Sequence, residues 1–335
     1  MIEARHLTKR YGDRLAVDDV SFVVQPGTVT GFLGPNGAGK STTMRLIVGL
    51  NRPTAGTVTV NGKAFVSHPA PLSQVGALLD AKAIHPGRTA FSHLYGLALT
   101  CGLPKRRVRE VLEFTGLSEV ANKRFGGFSL GMGQRLGIAT ALLGDPDTYL
   151  FDEPVNGLDP DGVMWVRGFV KQLAADGKCV FLSSHLMSEM ELTADHLIVI
   201  GRGRILAQGP LREVVASAGR SSVRVRTPQA AALTQAVRAR LAGAEVTALT
   251  EPRVDDAEAL AITGTDIKDI GRLIAAQGIV VYELSPQRAS LEDAYLALTG
   301  DEVEYRSQSL GESGQPVREQ PDGGAPDGHG KGGVA

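Results

Sequence analysis

Residues 34–41 read Gly34-Pro35-Asn36-Gly37-Ala38-Gly39-Lys40-Ser41, and this stretch decides the fold of the chain. An apolar run at residues 29–33 precedes it, and an apolar pattern of helical spacing follows it at residues 40–48. Glycines let a backbone wrap closely around an anion with its N–H groups turned inward, and the start of the following helix adds partial positive charge. The pattern G-x-x-x-x-G-K-[ST] between a strand and a helix therefore predicts a phosphate-binding loop, called the P-loop below.

Three side chains at the end of this loop have separate expected tasks. Lys40 would neutralise the β- and γ-phosphates of a bound nucleotide, and the hydroxyl of Ser41 would ligate Mg²⁺. Thr42 would contact a phosphate as well. The competing interpretation is a glycine-rich turn that carries a lysine by chance, and the strand before it and the helix after it weigh against that.

A pair of acids ends another predicted strand. Residues 148–151 are mostly apolar, and Asp152 and Glu153 follow directly. At the end of a strand, Asp152 can reach the magnesium shell while Glu153 faces the attacking water. Phosphoryl transfer depends mainly on positioning and charge stabilisation, so two carboxylates with separate roles suit it. Together with the P-loop, this pair predicts a P-loop NTPase.

Three further features decide which kind of P-loop protein this is. Phe128-Ser129-Leu130-Gly131-Met132 opens a predicted helix, Asn156-Gly157-Leu158-Asp159-Pro160 follows the two acids, and His185 follows the apolar run at residues 179–183. In these motifs and their order, residues 2–210 resemble the ABC ATPases. The resemblance identifies the three features as the family's signature motif, its D-loop and its switch histidine. It also places Tyr11 where the family stacks an aromatic ring on adenine, and Asp80 in the Q-loop.

Each of these assignments has a physical basis and a rival. A hydroxyl and free N–H groups at the start of a helix can hold a γ-phosphate, so Ser129 suits that contact, although it also suits an ordinary N-cap. His185 is a polar residue at the end of an apolar strand and can hydrogen-bond a phosphate or the attacking water, although a lone histidine at such a place is more often structural. Tyr11 can stack on adenine or fill the first sheet.

The chain departs from the family pattern at three positions. The consensus signature is Leu-Ser-Gly-Gly-Gln, whereas this chain has Leu130 at the first glycine position and Met132 at the glutamine position. Ser129 and Gly131 are kept, which preserves the expected contact with a γ-phosphate. In the Q-loop, Asp80 stands where the family has glutamine or, in some members, glutamate.

The resemblance implies a complete ATP site with Mg²⁺ as its metal. The expected catalytic residues are Lys40, Glu153 and His185, and the expected metal-binding residues are Ser41, Asp152 and Asp80. The residues expected to bind ATP are Tyr11, Gly34, Pro35, Asn36, Gly37, Ala38, Gly39, Lys40, Ser41, Thr42, Ser129, Gly131 and Asp159. In this family the signature and the P-loop lie far apart within one cassette, so both can contact one ATP only if two subunits pack head to tail.

The rest of the chain divides into predicted domains. Alternating strands and helices over residues 1–210 predict an α/β domain with a parallel sheet and a helical subdomain at about 81–145. Residues 211–300 form a second domain, whose order β-α-β-β-α-β suggests a small ferredoxin-like α+β fold. Its last strand is predicted at 279–284, and a final helix at 291–298 is expected to pack on it. Residues 301–335 are rich in Gly, Pro, Asp, Gln and Glu and predict a disordered tail.

The composition of the chain indicates its cellular compartment and the kinds of partner that it binds. Lys and Arg number 35 against 36 Asp and Glu, a net charge of −1, which argues against nucleic acid as a partner. The start MIEARHLTKR lacks the apolar segment of a signal peptide, and Cys101 and Cys179 are expected to be buried thiols, so we expect a cytoplasmic protein. No run approaches the roughly 18 apolar residues of a membrane-spanning helix, so the channel of a transporter would be another polypeptide.

The resemblance extends to a subfamily. A single cassette, a carboxy-terminal domain that closes with residues 290–300, and the run Ser129-Leu130-Gly131-Met132 look like the bacterial drug-resistance exporters of the daunorubicin type. That implies an ATPase on the inner face of the cell membrane, working with an integral-membrane permease and a second nucleotide-binding subunit, expected to be a second copy of this chain. The cargo would be a drug, an antibiotic or a lipid-like compound.

Other functions compete with this interpretation. An uptake system and a soluble ABC ATPase that acts on ribosomes or DNA stay open, although the chain has neither a second cassette nor a long coiled coil. A GTPase would need the guanine-binding pattern N-K-x-D, and the sequence Asn122-Lys123-Arg124-Phe125 lacks the aspartate. A nucleotide-binding module without turnover would leave Glu153 beside Asp152 unexplained.

Overall fold

The computed structural model describes residues 1–218, 222–250, 256–287 and 290–299. The strands are β1 (Ile2–Tyr11), β2 (Arg14–Val24), β3 (Val29–Leu33), β4 (Ala55–Val60), β5 (Val75–Leu78), β6 (Thr148–Asp152), β7 (Cys179–Ser184), β8 (His196–Gly201), β9 (Arg204–Pro210), β10 (Ser222–Thr227), β11 (Glu245–Ala248), β12 (Glu258–Thr263) and β13 (Glu283–Gln287). The helices are α1 (Lys40–Ile47), α2 (Ala90–Thr100), α3 (Lys105–Phe114), α4 (Leu130–Leu142), α5 (Pro160–Ala175), α6 (Met187–Thr193), α7 (Leu211–Ala218), α8 (Ala230–Arg240), α9 (Ile267–Gln277) and α10 (Leu291–Thr299).

A six-stranded sheet in the order β5-β6-β7-β3-β8-β9 forms the centre of the first domain. Its strands run parallel except β9, which pairs antiparallel with β8. Strands β3 and β7 are buried along their whole length, which is why they read as continuous apolar runs rather than as alternating patterns. The predicted α/β fold with a parallel sheet is confirmed.

The same sheet brings the predicted motifs to one edge. Strands β6, β7 and β3 are neighbours, and their register pairs Asp152 with Ser183 and Leu33 with Ser184. Because the carboxyl ends of parallel strands meet at one edge of a sheet, the P-loop after β3 lies beside the acids at the end of β6. Strand β5 pairs Leu78 with Phe151, so Asp80 follows at this edge too.

A second sheet, in the order β2-β1-β4, is antiparallel. Strand β4 belongs to this antiparallel sheet, where it pairs with β1, although the alternation of strands and helices predicts only a parallel sheet. Apolar residues of this sheet, among them Ile2, Leu7 and Phe22, pack with Phe32 of β3 and Phe181 of β7 in one buried cluster. Periodicity in the sequence shows that a strand is half-buried but not which sheet it joins, so β4 could not be assigned in advance.

The helical segment between β5 and β6 contains α2, α3 and α4, and two of these helices begin at a recognisable capping residue. Thr89 accepts a hydrogen bond from the N–H of Ser92 at the start of α2, and Ser129 does the same for Met132 at the start of α4. Cys101, which was expected to be buried, is exposed. It lies at the end of α2, where the chain turns, whereas Cys179 is buried in β7 as expected.

The second domain contains a four-stranded antiparallel sheet in the order β11-β12-β10-β13, with α8 and α9 in its connections. This strand order and the sequence β-α-β-β-α-β agree with the ferredoxin-like fold expected there. Its own apolar cluster includes Val225, Leu233, Ile262 and Ile274. The last strand begins at Glu283 and not at residue 279 as predicted, because the apolar residues at 279 and 281 pack on the core outside any strand.

The final helix, α10, packs elsewhere than expected. Its buried Leu291 and Tyr295 belong to the apolar cluster of the first domain, which also holds Met190 of α6 and Val214 of α7. The prediction that this helix packs on the ferredoxin-like unit was therefore wrong. A helical stripe shows that a face is buried but not which surface covers it. The predicted disordered tail, residues 301–335, lies outside the described residues.

Among the residues that the structure describes, no helix has both the length and the apolar character needed to cross a bilayer.

Candidate functional site

The P-loop is tightly packed, and its glycines explain why. Gly39 has φ of 109°, and a Cβ added there would lie 2.5 Å from the carbonyl oxygen of Ala16. A Cβ on Gly34 would lie 2.4 Å from the carbonyl oxygen of Ile200. A larger residue at either position would push the loop away from β8 and β2, so this path of the backbone requires glycine.

Lys40 folds back over the loop. Its Nζ donates to the carbonyl oxygens of Gly34 and Pro35, at 2.7 and 3.1 Å, and its side chain is 5% exposed. Burial lowers the pKa of Lys40 from its ordinary value, while the carboxylates of Glu153 and Asp152 act in the opposite direction. The next residues lie in different environments: Ser41 is exposed, whereas Thr42 is half-buried.

Glu153 is the centre of the charged cluster. Its Oε1 lies 3.7 Å from Nζ of Lys40, and its Oε2 lies 3.1 Å from Nδ1 of His185. The amide nitrogen of Asn156 donates to the same Oε2. Nδ1 is thus the ring nitrogen of His185 that faces the carboxylate, and Nε2 lies outside this contact. All three predicted catalytic residues, Lys40, Glu153 and His185, are therefore brought together.

Asp152 is held by a residue that sequence reasoning missed. The hydroxyl of Ser183, on the neighbouring strand β7, donates to Oδ1 of Asp152 and accepts a hydrogen bond from the backbone N–H of Glu153 at 3.0 Å. Gln134 of α4 was missed as well, and its Nε2 donates to the carbonyl oxygen of Glu153 at 2.9 Å. In the sequence, Ser183 and Gln134 stand out only as polar residues in an otherwise apolar strand and helix face. That pattern does not show which group each side chain is hydrogen-bonded to.

The residues present fit Mg²⁺, which prefers oxygen ligands in an octahedral arrangement. Ser41 offers an exposed hydroxyl, and within the described part of the chain Oδ2 of Asp152 makes no hydrogen bond. Asp80 is exposed at the same edge of the sheet, and its Oδ1 accepts from the N–H of Lys82 at 2.8 Å. The three predicted metal-binding residues thus supply hard oxygen donors at one edge of the sheet, with Asp80 at the end of β5, three strands from β3. Their role in holding the ion stays a prediction.

The signature motif contacts the D-loop of the same chain. Ser129 is exposed, and it caps α4 through the N–H of Met132 at 3.2 Å. Leu130 packs over Gly157 so closely that a Cβ there would lie 2.1 Å from Cδ2 of Leu130. Asp159, predicted to bind nucleotide, caps α5 by accepting from the N–H of Gly162 at 3.0 Å.

The signature motif and the P-loop are not joined by hydrogen bonds or ion pairs within the part of the chain that the structure describes. Neither Ser129 nor Gly131 forms a hydrogen bond or ion pair with any residue of the P-loop there. A ligand held by Lys40 therefore leaves the start of α4 free for a second contact.

Tyr11 has an exposed ring and does not fill the sheet. It ends β1, is 47% exposed, and pairs with Arg14 across the turn to β2. A guanidinium nitrogen of Arg14 lies 3.7 Å from where a Cβ on Gly37 would stand. The hydroxyl of Tyr11 accepts from the amide of Asn51 at 2.7 Å, and Nζ of Lys9 lies 4.9 Å from its ring centroid. The ring is exposed, and its stacking on adenine stays a prediction.

Comparison with known proteins gives consistent results along the chain. Residues 17–156 match the family described as "ABC transporter", and residues 221–292 match a domain of unknown function, DUF8746. The ABC transporter ATP-binding protein YhcH of Bacillus subtilis is 33% identical, over 91% of this chain and 97% of YhcH. The bacitracin transport ATP-binding protein BcrA of Bacillus licheniformis is 40% identical, over 63% of this chain and 70% of BcrA. Nod factor export ATP-binding protein I of Burkholderia lata is 33% identical, over 90% and 98%.

Solved structures show the same likeness. An ATP-binding subunit of an ABC transporter superposes with a TM-score of 0.60 at 30% identity, over 65% of this chain and 92% of that one. The dimeric cassette MJ0796 superposes with a TM-score of 0.59 at 25% identity, over 63% and 99%.

Proposed function

The chain belongs to the family of ABC transporter ATP-binding proteins, and from that premise we propose that it powers export of a drug, antibiotic or lipid-like compound through a separate membrane protein. ATP is its substrate and Mg²⁺ its metal. The convergence of Lys40, Glu153 and His185 within 3.7 Å at the P-loop is the observation that carries the proposed hydrolysis. The cargo class rests on the likeness to BcrA and to the Nod factor export protein.

Each residue of the cluster has a defined task in hydrolysis. Lys40 leaves the carbonyl oxygens of the loop and binds the β- and γ-phosphates, which neutralises charge as it develops on them. Glu153 orients the attacking water and accepts its proton. His185 keeps Glu153 in place through Nδ1 and turns Nε2 towards the water or the γ-phosphate. Asp152, Ser41 and Asp80 would hold Mg²⁺, which would supply positive charge to neutralise the phosphates.

The site is completed by a second subunit. Ser129 and Gly131 lie at the start of a helix, where a hydroxyl and free N–H groups can bind a γ-phosphate, yet within the described residues neither contacts the P-loop of its own chain. We infer that they contact the ATP of a facing copy, in a head-to-tail dimer like that of MJ0796. ATP then lies between the subunits and favours closure, and hydrolysis removes that advantage.

The place of action follows from the substrate. ATP is made inside the cell, so a subunit that binds a permease would do so at the inner face of the membrane. The alternative, a soluble ABC ATPase, predicts a different partner. Capture of the tagged chain from membranes should recover an integral-membrane protein, whereas co-sedimentation with ribosomes in place of that capture would favour the alternative.

The change Glu153→Gln tests the enzymatic part of the proposal. It keeps the shape of the side chain but removes the proton acceptor, so turnover should fall by about 100-fold or more while ATP binding persists. Size-exclusion chromatography with ATP and Mg²⁺ should show a dimer that outlasts that of the wild type. Glu119→Gln, at an exposed site, is the matched control. Rapid hydrolysis by Glu153→Gln would refute the assignment.

A further inference from the structure

Glu153 has an unusual backbone. Its φ is 49°, in the left-handed region that a residue with a side chain seldom adopts. The β6–β7 ladder ends with the pair Asp152 and Ser183, so the N–H of Glu153 has no partner strand to donate to. A strained residue without ladder bonds keeps one conformation only if its surroundings hold it there.

Two buried side chains hold this backbone from opposite ends. Ser183 accepts from the N–H of Glu153 at 3.0 Å, and Gln134 donates to its carbonyl oxygen at 2.9 Å. Ser183 is fully buried and Gln134 is 5% exposed, so water cannot easily replace either partner. The hydroxyl of Ser183 also donates to Asp152, which ties the two acids together.

We propose that Ser183 and Gln134 are positioning residues, a backbone clamp that keeps the carboxylate of Glu153 directed at the P-loop. The left-handed turn at Glu153 reverses the direction of the side chain relative to a strand, and this brings it to Lys40 and His185. Without either partner the turn can relax towards ordinary backbone angles, and the carboxylate then leaves the attacking water. The clamp deepens the proposed function and rests on it.

Removal of one partner at a time tests the clamp. Ser183→Ala and Gln134→Met should each lower kcat by about 10- to 100-fold, because small displacements of a catalytic group have effects of that size. The affinity for ATP measured without Mg²⁺ should change by less than about twofold, since the hydrogen bonds of both residues are made to the two acids and not to the P-loop. Ser183→Thr retains the hydroxyl and should recover most of the rate. Thr115→Val removes an equally buried hydroxyl at the end of α3, one that donates to Val111, and should leave kcat unchanged.

A double-mutant cycle separates positioning from general loss of structure. Gln134 contacts only the backbone of Glu153 among the polar partners described, so Gln134→Met should add nothing to the loss caused by Glu153→Gln in single-turnover hydrolysis. A multiplicative loss would show that Gln134 acts elsewhere and would overturn the clamp. The clamp is equally overturned if Glu153→Gln is inactive while Ser183→Ala and Gln134→Met turn over like the wild type. If Glu153→Gln hydrolyses ATP at the wild-type rate, the catalytic role of Glu153 in the proposed function is refuted, and with it the premise of the clamp.

Discussion

Nζ of Lys40 lies 3.7 Å from Oε1 of Glu153, so the cation expected to bind phosphate faces the carboxylate expected to activate water. The same Nζ donates to two carbonyl oxygens of the P-loop. A phosphate must take over these contacts when it enters. We therefore expect bound ATP to draw Nζ of Lys40 away from these carbonyl oxygens.

Lys40→Ala should abolish ATP hydrolysis and ATP binding together. The variant loses the charge that offsets the phosphates, so ATP with Mg²⁺ should no longer raise the melting temperature as it does in the wild type. Lys171→Ala, at an exposed site of α5, should behave as the wild type. Hydrolysis at an unaltered rate in Lys40→Ala would remove the basis of the nucleotide site.

His185→Ala should affect turnover more than binding. His185 contacts the carboxylate of Glu153, so its loss frees the base and should reduce kcat by about 10- to 1000-fold with a small change in ATP affinity. The control is His6→Ala, because His6 is exposed on β1 and pairs with Asp19. Equal losses of kcat and affinity would instead indicate a direct role in holding ATP.

Two substitutions at Tyr11 separate the ring from its hydroxyl. Tyr11→Phe keeps the ring and loses the hydrogen bond from Asn51, and it should bind ATP nearly as well as the wild type. Tyr11→Ala removes the ring and should weaken binding by roughly 1–3 kcal/mol, the usual value of base–aromatic stacking. If Phe weakens binding as much as Ala does, the contact with Asn51 and not stacking explains the effect.

Leu291→Ala should destabilise the first domain, although the residue lies near the end of the described chain. Leu291 is 1% exposed and packs with α6 and α7, so truncation should cost about 2–5 kcal/mol. Leu296→Ala, on the same helix but 57% exposed, should cost little. Trp165 is the single tryptophan and lies in the first domain, so its fluorescence reports unfolding there. An unchanged Trp165 transition in Leu291→Ala would contradict this packing.

Gly157→Ala should destabilise the fold, partly because the added Cβ would clash with the side chain of Leu130. Both Gly157 and Gly177 have positive φ, 74° and 81°, but only at Gly157 would a Cβ meet a neighbour, Leu130. Gly177→Ala therefore measures the backbone strain alone, about 1–2 kcal/mol. Gly157→Ala should lower the free energy of unfolding by more than Gly177→Ala does. Adding Leu130→Gly to Gly157→Ala should remove that additional loss. If the double variant is as unstable as Gly157→Ala alone, the contact with Leu130 is not the reason why residue 157 must be glycine.

The extent to which sequence predicted structure differed from one element to another. The apolar run at 29–33 and the glycine spacing after it predicted β3 and the start of α1, because both depend on neighbouring residues only. Where α10 packs and which sheet β4 joins depend on contacts with residues far away in the sequence. Local sequence patterns do not show which residues those are. The start of the last strand was predicted too early for a related reason. The apolar residues at 279 and 281 pack in the core although they lie outside a strand, and an apolar pattern does not distinguish the two cases.

By itself the sequence determined the family pattern and predicted the chemistry of the site, namely which residues would bind phosphate, hold Mg²⁺ and accept a proton. Glycine spacing and the order of acids and histidine along the chain are local properties, and short motifs preserve them. Only the tertiary structure decided how Glu153 is held, because Ser183 and Gln134 reach it from a neighbouring strand and a separate helix. A hydrogen bond between residues 19 or 30 positions apart depends on how strands and helices pack, and that arrangement is fixed by the fold as a whole.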